Sequence, residues 1–309
     1  MGQEGLESTP NGFELPYSLP ERRRAIIKSD INIVELIDCA NYPIDQPESE
    51  QYQSIVKFAR ERLDVDGCIR FNQFIKNDYL ADLRRETESL APQALFSIEE
   101  YTPYGTPPDY SFPDGHPRNN THRTTSGNVT RDLIPESTLI QQIYLNPLFQ
   151  RFIADCLEAL EIFPFRDPMR GLIINAMPNN TTLGWHFDAN EFVVSLMTKK
   201  AEQGGEFEYC PNIRQPGSEN YETVQAVLDD KRDEVKVLDL QVGDIQIFKG
   251  RFSMHRVAPT QGQRHTAIFG YSREPGYIGS VESTQRIYGR VMQEHIDADH
   301  IRHSDGLSD

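Results

Sequence analysis

Residues 185–214 read WHFDANEFVVSLMTKKAEQGGEFEYCPNIR, and this stretch decides the fold. It opens on Trp185-His186-Phe187-Asp188, in which a histidine and an aspartate are separated by one residue. On a strand, residues two apart point to the same face, so imidazole and carboxylate project side by side. Phe192–Thr198 (FVVSLMT) follows as a β-rich run. Gly204-Gly205 turns the chain into Glu206–Cys210 (EFEYC), which alternates polar and aromatic residues. Outward from this core, Arg170–Pro178 (RGLIINAMP) reads as a buried strand that ends at its proline. Val235–Leu240 alternates again, and Gly243-Asp244 is a turn before Ile245–Phe248. After a turn at Lys249-Gly250 come His255-Arg256-Val257 and the strand His265–Tyr271. Short strands at regular spacing with Gly and Pro punctuation predict a sandwich or barrel.

A chain with eight histidines produces His-x-Asp by chance, so the surroundings carry the weight. Here His186, Asp188 and His255 fall on successive strands of one β-domain, where they can converge. Two histidines and a carboxylate with open positions suit non-heme Fe(II). Arg264 lies nine residues after His255, with Thr266 two beyond it on the same strand face. A planar guanidinium binds a carboxylate bidentately and a hydroxyl adds a further bond, as a dicarboxylate anchored on a metal requires.

The ordered set His-x-Asp, Gly-Gly-x-Phe, Gly-Asp-x-x-x-Phe, distal His and Arg-x-Thr resembles the Fe(II)/2-oxoglutarate-dependent dioxygenases over roughly residues 165–275. That resemblance implies a double-stranded β-helix, or jelly roll. It implies Fe(II) on His186, Asp188 and His255, with 2-oxoglutarate and O2 as co-substrates. The far carboxylate of 2-oxoglutarate maps to Arg264 and Thr266. Asn175 matches an asparagine that contacts 2-oxoglutarate in the nucleic-acid dealkylating branch. The run Trp185–Arg214 is similar to the free-standing enzymes that hydroxylate or halogenate amino acids. In the halogenating members glycine replaces the metal-binding acid; Asp188 therefore implies a hydroxylase-type member acting on an aliphatic C–H of a small, amino-acid-like molecule. Desaturation or cyclisation by the same chemistry is an alternative, as is a cupin-type metalloenzyme that uses no 2-oxoglutarate. Arg273 is the alternative clamp if Arg264 does not serve.

The chain of 309 residues reads as a single unit: mostly β with α, a jelly-roll barrel packed by N-terminal helices and a C-terminal helix. Residues 1–48 wrap the surface, 49–165 give helical support, 166–275 the jelly-roll core, and 276–309 a helix and tail. Apolar residues at helical spacing mark Ser49–Leu63, Asn77–Leu90, Ser137–Leu160 and Ser283–His303, and Asn146-Pro147 restarts a helix within the third. Residues 101–130 are rich in Pro and Gly and read as a lid over the metal. Its Arg118, His122 and Arg123, with Trp185, are the candidate substrate contacts, either arginine pairing with a substrate carboxylate.

Net charge is −16, from 47 acids against 31 bases, which opposes a nucleic-acid footprint. Glu21-Arg-Arg-Arg24 reads as a solvated helix start. Cys39, Cys68, Cys156 and Cys210 lack CxxC spacing and read as free thiols, and no run approaches a membrane span or a signal peptide. These features together predict a cytoplasmic enzyme of a small-molecule substrate.

Overall fold

The computed structural model describes residues 32–96 and 99–298. The Glu21–Arg24 reading, and the first and last parts of the predicted wrap and tail, lie outside the described residues. Two antiparallel sheets form the centre. The larger has seven strands in the order Cys68–Phe71, Ile245–Phe248, Val193–Lys199, Arg264–Phe269, Leu172–Met177, Gly127–Val129, Leu95–Phe96. The smaller has four: Lys236–Leu238, Phe207–Cys210, Met254–Val257, Leu183–His186. This is the jelly-roll architecture.

Strand periodicity sorts the side chains into layers. Leu172, Ile174 and Ala176, Val194 and Leu196, and Ala267 and Phe269 are all buried, and most of them join a core shared with the helices Glu50–Asp66, Leu139–Leu145 and Pro147–Cys156. Their neighbours in sequence, Asn175, Ser195, Arg264 and Thr266, take the other face. There the two sheets meet through Cys68, Met177, Phe207, Tyr209, Phe248 and Val257. A third cluster covers the outer face of the small sheet, where Trp185, Phe187, Cys210 and Met254 pack against Tyr104 and the helix Tyr221–Leu228.

Several boundaries differ from the sequence reading. The 49–165 region is not purely helical: Cys68–Phe71 and Gly127–Val129 pair with opposite flanks of the large sheet, and Glu99–Tyr101 pairs with His122–Thr124. Strands of two to four residues are too short to show a period, and edge pairing alone stabilises them. The expected C-terminal helix is two, Val281–Tyr288 and Gln293–Ala298, because Gly289 takes φ +66° and ends the first. The restart at Asn146-Pro147 is present, the asparagine side chain accepting from the Leu148 and Phe149 amides. That helix stops at Cys156, and Leu160, expected in its apolar stripe, is fully exposed. All four cysteines are free thiols. Among the described residues no helix is long and apolar enough to cross a membrane.

Candidate metal centre

His186 and His255 stand directly opposite each other on adjacent antiparallel strands, with ring centroids 4.1 Å apart. Asp188, just past the end of the first strand, completes the group. Its Oδ1 is 3.7 Å from His186 Nε2 and its Oδ2 is 3.5 Å from His255 Nε2. The three donor atoms lie within 4.8 Å of one another. Each imidazole uses Nδ1 on a backbone carbonyl two residues upstream, Gly184 at 2.7 Å and Ser253 at 3.1 Å. With Nδ1 donating there, the Nε2 lone pair of each ring is left for a metal.

Burial drives the His255 imidazole well below its ordinary pKa, reinforced by His186, so it is held neutral as a ligand must be. Burial pushes the Asp188 carboxyl upward, opposed by His186 and by Arg214. Room for Asp188 depends on Gly250, because a Cβ there would collide with the carboxylate. The Gly250 carbonyl also accepts from the Asp188 amide at 3.1 Å. Two neutral nitrogens and one anionic oxygen on one side, with the rest open, fit Fe(II).

A second feature faces the same interior from the large sheet. Arg264 is 3 % exposed, and its Nη1 donates to Thr266 Oγ1 at 2.8 Å. Its Nε has no hydrogen-bond partner among the described residues. Burial lowers its pKa to about 10, partly offset by Glu206. A buried guanidinium whose one hydrogen bond among the described residues goes to a neutral hydroxyl is costly until a carboxylate arrives, which fits the far end of 2-oxoglutarate. Asn175 pairs in register with Thr266 on the next strand and donates to Asn128 Oδ1 at 3.2 Å. Arg273 is committed elsewhere, to Glu191 and the Leu157 carbonyl.

The candidate substrate contacts separate. The His122 ring lies against Gly184, where any Cβ would overlap it, and burial lowers its pKa to about 4, with His186 adding to the shift. It therefore sits beside the metal ligands. Arg118 lies in the 101–130 segment, its guanidinium 5.4 Å from the Tyr104 ring and 3.8 Å from Asp109, with Nε and Nη1 buried and without a hydrogen-bond partner among the described residues. Arg123 lies in the His122–Thr124 strand, paired with Glu100. Trp185 requires a correction. Adjacent residues on a strand face opposite ways, so it points away from His186 into the outer cluster, beneath the Arg256 guanidinium at 4.8 Å. Its indole is core, not a substrate contact. Sequence reasoning missed Gly250, Gly184 and Arg214. A glycine beside a ligand-bearing turn was the available signal for the first.

A family model described as Halogenase D matches residues 51–289 of the chain. No curated protein matches it. Among solved structures, AviO1 from Streptomyces viridochromogenes Tue57 is similar in fold, with TM-score 0.50 and 16% identity over 71% of this chain and 95% of that one. The non-heme alpha ketoglutarate dependent carbocyclase SnoK from nogalamycin biosynthesis also has TM-score 0.50, at 12% identity over 71% of this chain and 85% of that one. With a match over most of its length and a two-histidine, one-aspartate centre beside a buried arginine, the chain belongs to the halogenase D family and is a 2-oxoglutarate-dependent Fe(II) oxygenase.

Proposed function

We propose that this enzyme hydroxylates an aliphatic C–H of a small molecule, a free amino acid or an amino-acid-derived metabolite. The observation that carries the reading is Asp188, whose two oxygens lie 3.7 and 3.5 Å from the two histidine nitrogens. The resemblance drawn from the sequence implies glycine at this position in the halogenating members, which would leave a metal site to the halide. With the Asp188 carboxylate in that place, the reading favours hydroxylation over halogenation for this member of the family.

When bound, iron and 2-oxoglutarate supply the O2-dependent oxidation, coupled to decarboxylation to succinate. The chain's residues position and shield. His186, Asp188 and His255 hold the metal, and Arg264 with Thr266 grips the far carboxylate. Asn175, tied to Asn128, stands beside that grip and supports the co-substrate. His122 roofs the metal side, and Arg118 receives a substrate carboxylate on its unpartnered Nε and Nη1. The Tyr104 and Phe112 rings, which flank the Arg118 guanidinium, help exclude water there.

The test is mass spectrometry of turnover under 18O2 in high chloride, after an anaerobic screen of free amino acids against the loaded enzyme. Incorporation of labelled oxygen into the product supports the reading. A chlorine isotope pattern would sink it and remove Asp188 from the metal. Loss of hydrogen without oxygen gain would place the reaction with desaturation or cyclisation.

A further inference from the structure

We infer that Arg214 is a positioning residue for the iron centre: its one side chain ties together the two arms of chain that carry the three ligands. The inference concerns the metal centre and holds whatever the substrate proves to be.

The triad comes from two separate pieces of chain. His186 and Asp188 lie at the end of one strand, and His255 lies in another strand entered through the turn at 249–253. Register holds the two histidines together, but Asp188 has already left the ladder. Its place depends on what holds the chain around Phe187 and around Gly250. Arg214 is bound to both. Its guanidinium lies 3.9 Å from the centre of the Phe187 ring, the residue between the first two ligands. Its Nε donates to the Arg251 carbonyl at 2.7 Å, and its backbone amide to the Phe252 carbonyl at 3.2 Å. Both carbonyls belong to the turn that presents Gly250, against which Asp188 packs. Nη1 is anchored on Glu219 Oε2 at 3.1 Å.

Arg214 is 2 % exposed. A charged side chain is buried this deeply at a real desolvation cost, and its hydrogen bonds and stacking must offset it. It has no surface to solubilise, and the apolar cluster around it would accept a hydrophobic residue of similar length. What a hydrophobic residue could not do is bond the turn while stacking on Phe187. The Tyr104 ring, 5.5 Å from Phe187 and 5.9 Å from the same guanidinium, closes this packing from the lid side. Arg214 also lies close enough to Asp188 to favour its carboxylate, and its hydrogen bonds and stacking run to Arg251, Glu219 and Phe187, so its effect should fall on the metal and leave the 2-oxoglutarate grip alone.

The experiment is anaerobic Fe(II) titration of metal-free full-length protein, wild type against Arg214→Met and Arg214→Lys. The Fe(II)–2-oxoglutarate charge-transfer band and thermal unfolding of the metal-free forms are recorded alongside. Residues that orient metal ligands typically change metal affinity by about 10- to 100-fold when replaced, and Arg214→Met should show a loss of that size. Arg214→Lys keeps the charge and a donor but cannot stack as a plane, so it should lose affinity in the same direction. The charge-transfer band should shift or broaden, while the 2-oxoglutarate concentration for half-saturation at saturating iron stays unchanged. A purely structural role would instead lower the unfolding temperature and leave the iron affinity of the folded fraction at the wild-type value. Wild-type affinity and spectrum in folded Arg214→Met overturn the inference. If that variant does not fold, the same result in Arg214→Lys overturns it.

Discussion

The strand pair that carries His186 and His255 and the lid segment beside it are finished to different degrees. On the strand pair each imidazole has its outer nitrogen bonded to a backbone carbonyl, and only the metal-facing atoms remain free. Between residues 104 and 122, by contrast, the Tyr104 hydroxyl, Arg118 Nε and Nη1, Asn119 Oδ1 and His122 Nδ1 are buried with no hydrogen-bond partner among the described residues. A buried polar group left unmet costs about 1–3 kcal/mol, so several in one segment mark a surface completed by something else. The metal arms are preorganised by register. On the reading proposed above, a bound substrate would complete the segment between residues 104 and 122.

If that contrast is right, breaking the preorganised side should be catastrophic for chemistry and mild for the fold. His186→Ala or His255→Ala should abolish Fe(II) binding and succinate formation, while circular dichroism stays near wild type. Full turnover in either variant would dissolve the triad. Next in size is the 2-oxoglutarate grip. Arg264→Ala should raise the KM for 2-oxoglutarate far more than that for substrate. Truncating one partner of a buried charge pair costs about 2–5 kcal/mol. An unchanged KM would move the clamp to another basic residue; Arg273, held by Glu191, would then have to change partners.

The same contrast explains what could be read from the chain. The clustering of His186, Asp188 and His255 and the shared face of Arg264 and Thr266 were legible because strand periodicity is strict and a metal needs ligands on one face. Asn175 followed, since its strand pairs with that of Thr266. Trp185 was misassigned although its parity with His186 already placed it on the other face. The strands Cys68–Phe71, Leu95–Phe96 and Gly127–Val129 were not legible. They are held by a neighbouring strand distant in sequence, and nothing local announces them. The helix Tyr221–Leu228 was missed as well; its buried faces are Val224 and Val227, too few to stand out. Arg214 carried no signal, because the turn carbonyl its Nε bonds and the Phe187 ring it stacks on lie far along the chain, and a nearby Glu219 marks only an ordinary ion pair.

The lid side can be sharpened by a smaller effect. Arg118→Ala should raise the substrate KM, with little change in the KM for 2-oxoglutarate or in Fe(II) affinity. A hydrogen bond to a charged group contributes about 1.5–3 kcal/mol, which sets the expected size. Equal loss for substrates with and without a carboxylate would show that Arg118 only shapes the lid.

The weakest effect belongs to His265, which tests whether unmet polar atoms always signal a ligand. It is 1 % exposed and neither ring nitrogen has a hydrogen-bond partner among the described residues, as between residues 104 and 122. It lies, however, on the opposite strand face from Arg264 and Thr266, in the direction of the helices rather than the site. Burial lowers its pKa to about 4, with Lys199 nearby adding to the shift. The sign is that of a depressed histidine. Its neutral form is tolerated fully above the unfolded value near 6.5, and stability is lost as pH falls from there toward 4. At pH 5 the loss from this one group is at most about 2 kcal/mol. Glu86, raised to about 7 by burial, works the other way over an overlapping range, since its carboxylate destabilises as pH rises. The two are separated by comparing urea unfolding of wild type and His265→Leu from pH 7 to 4.5, because Glu86 is common to both. The leucine variant should lose the acid-side decline and keep wild-type turnover at pH 7. His122→Leu, the lid counterpart, should raise the substrate KM instead. A fall in turnover in His265→Leu would mean that the outer face of the Arg264 strand also shapes the site, and that unmet polar atoms alone do not distinguish lid from core.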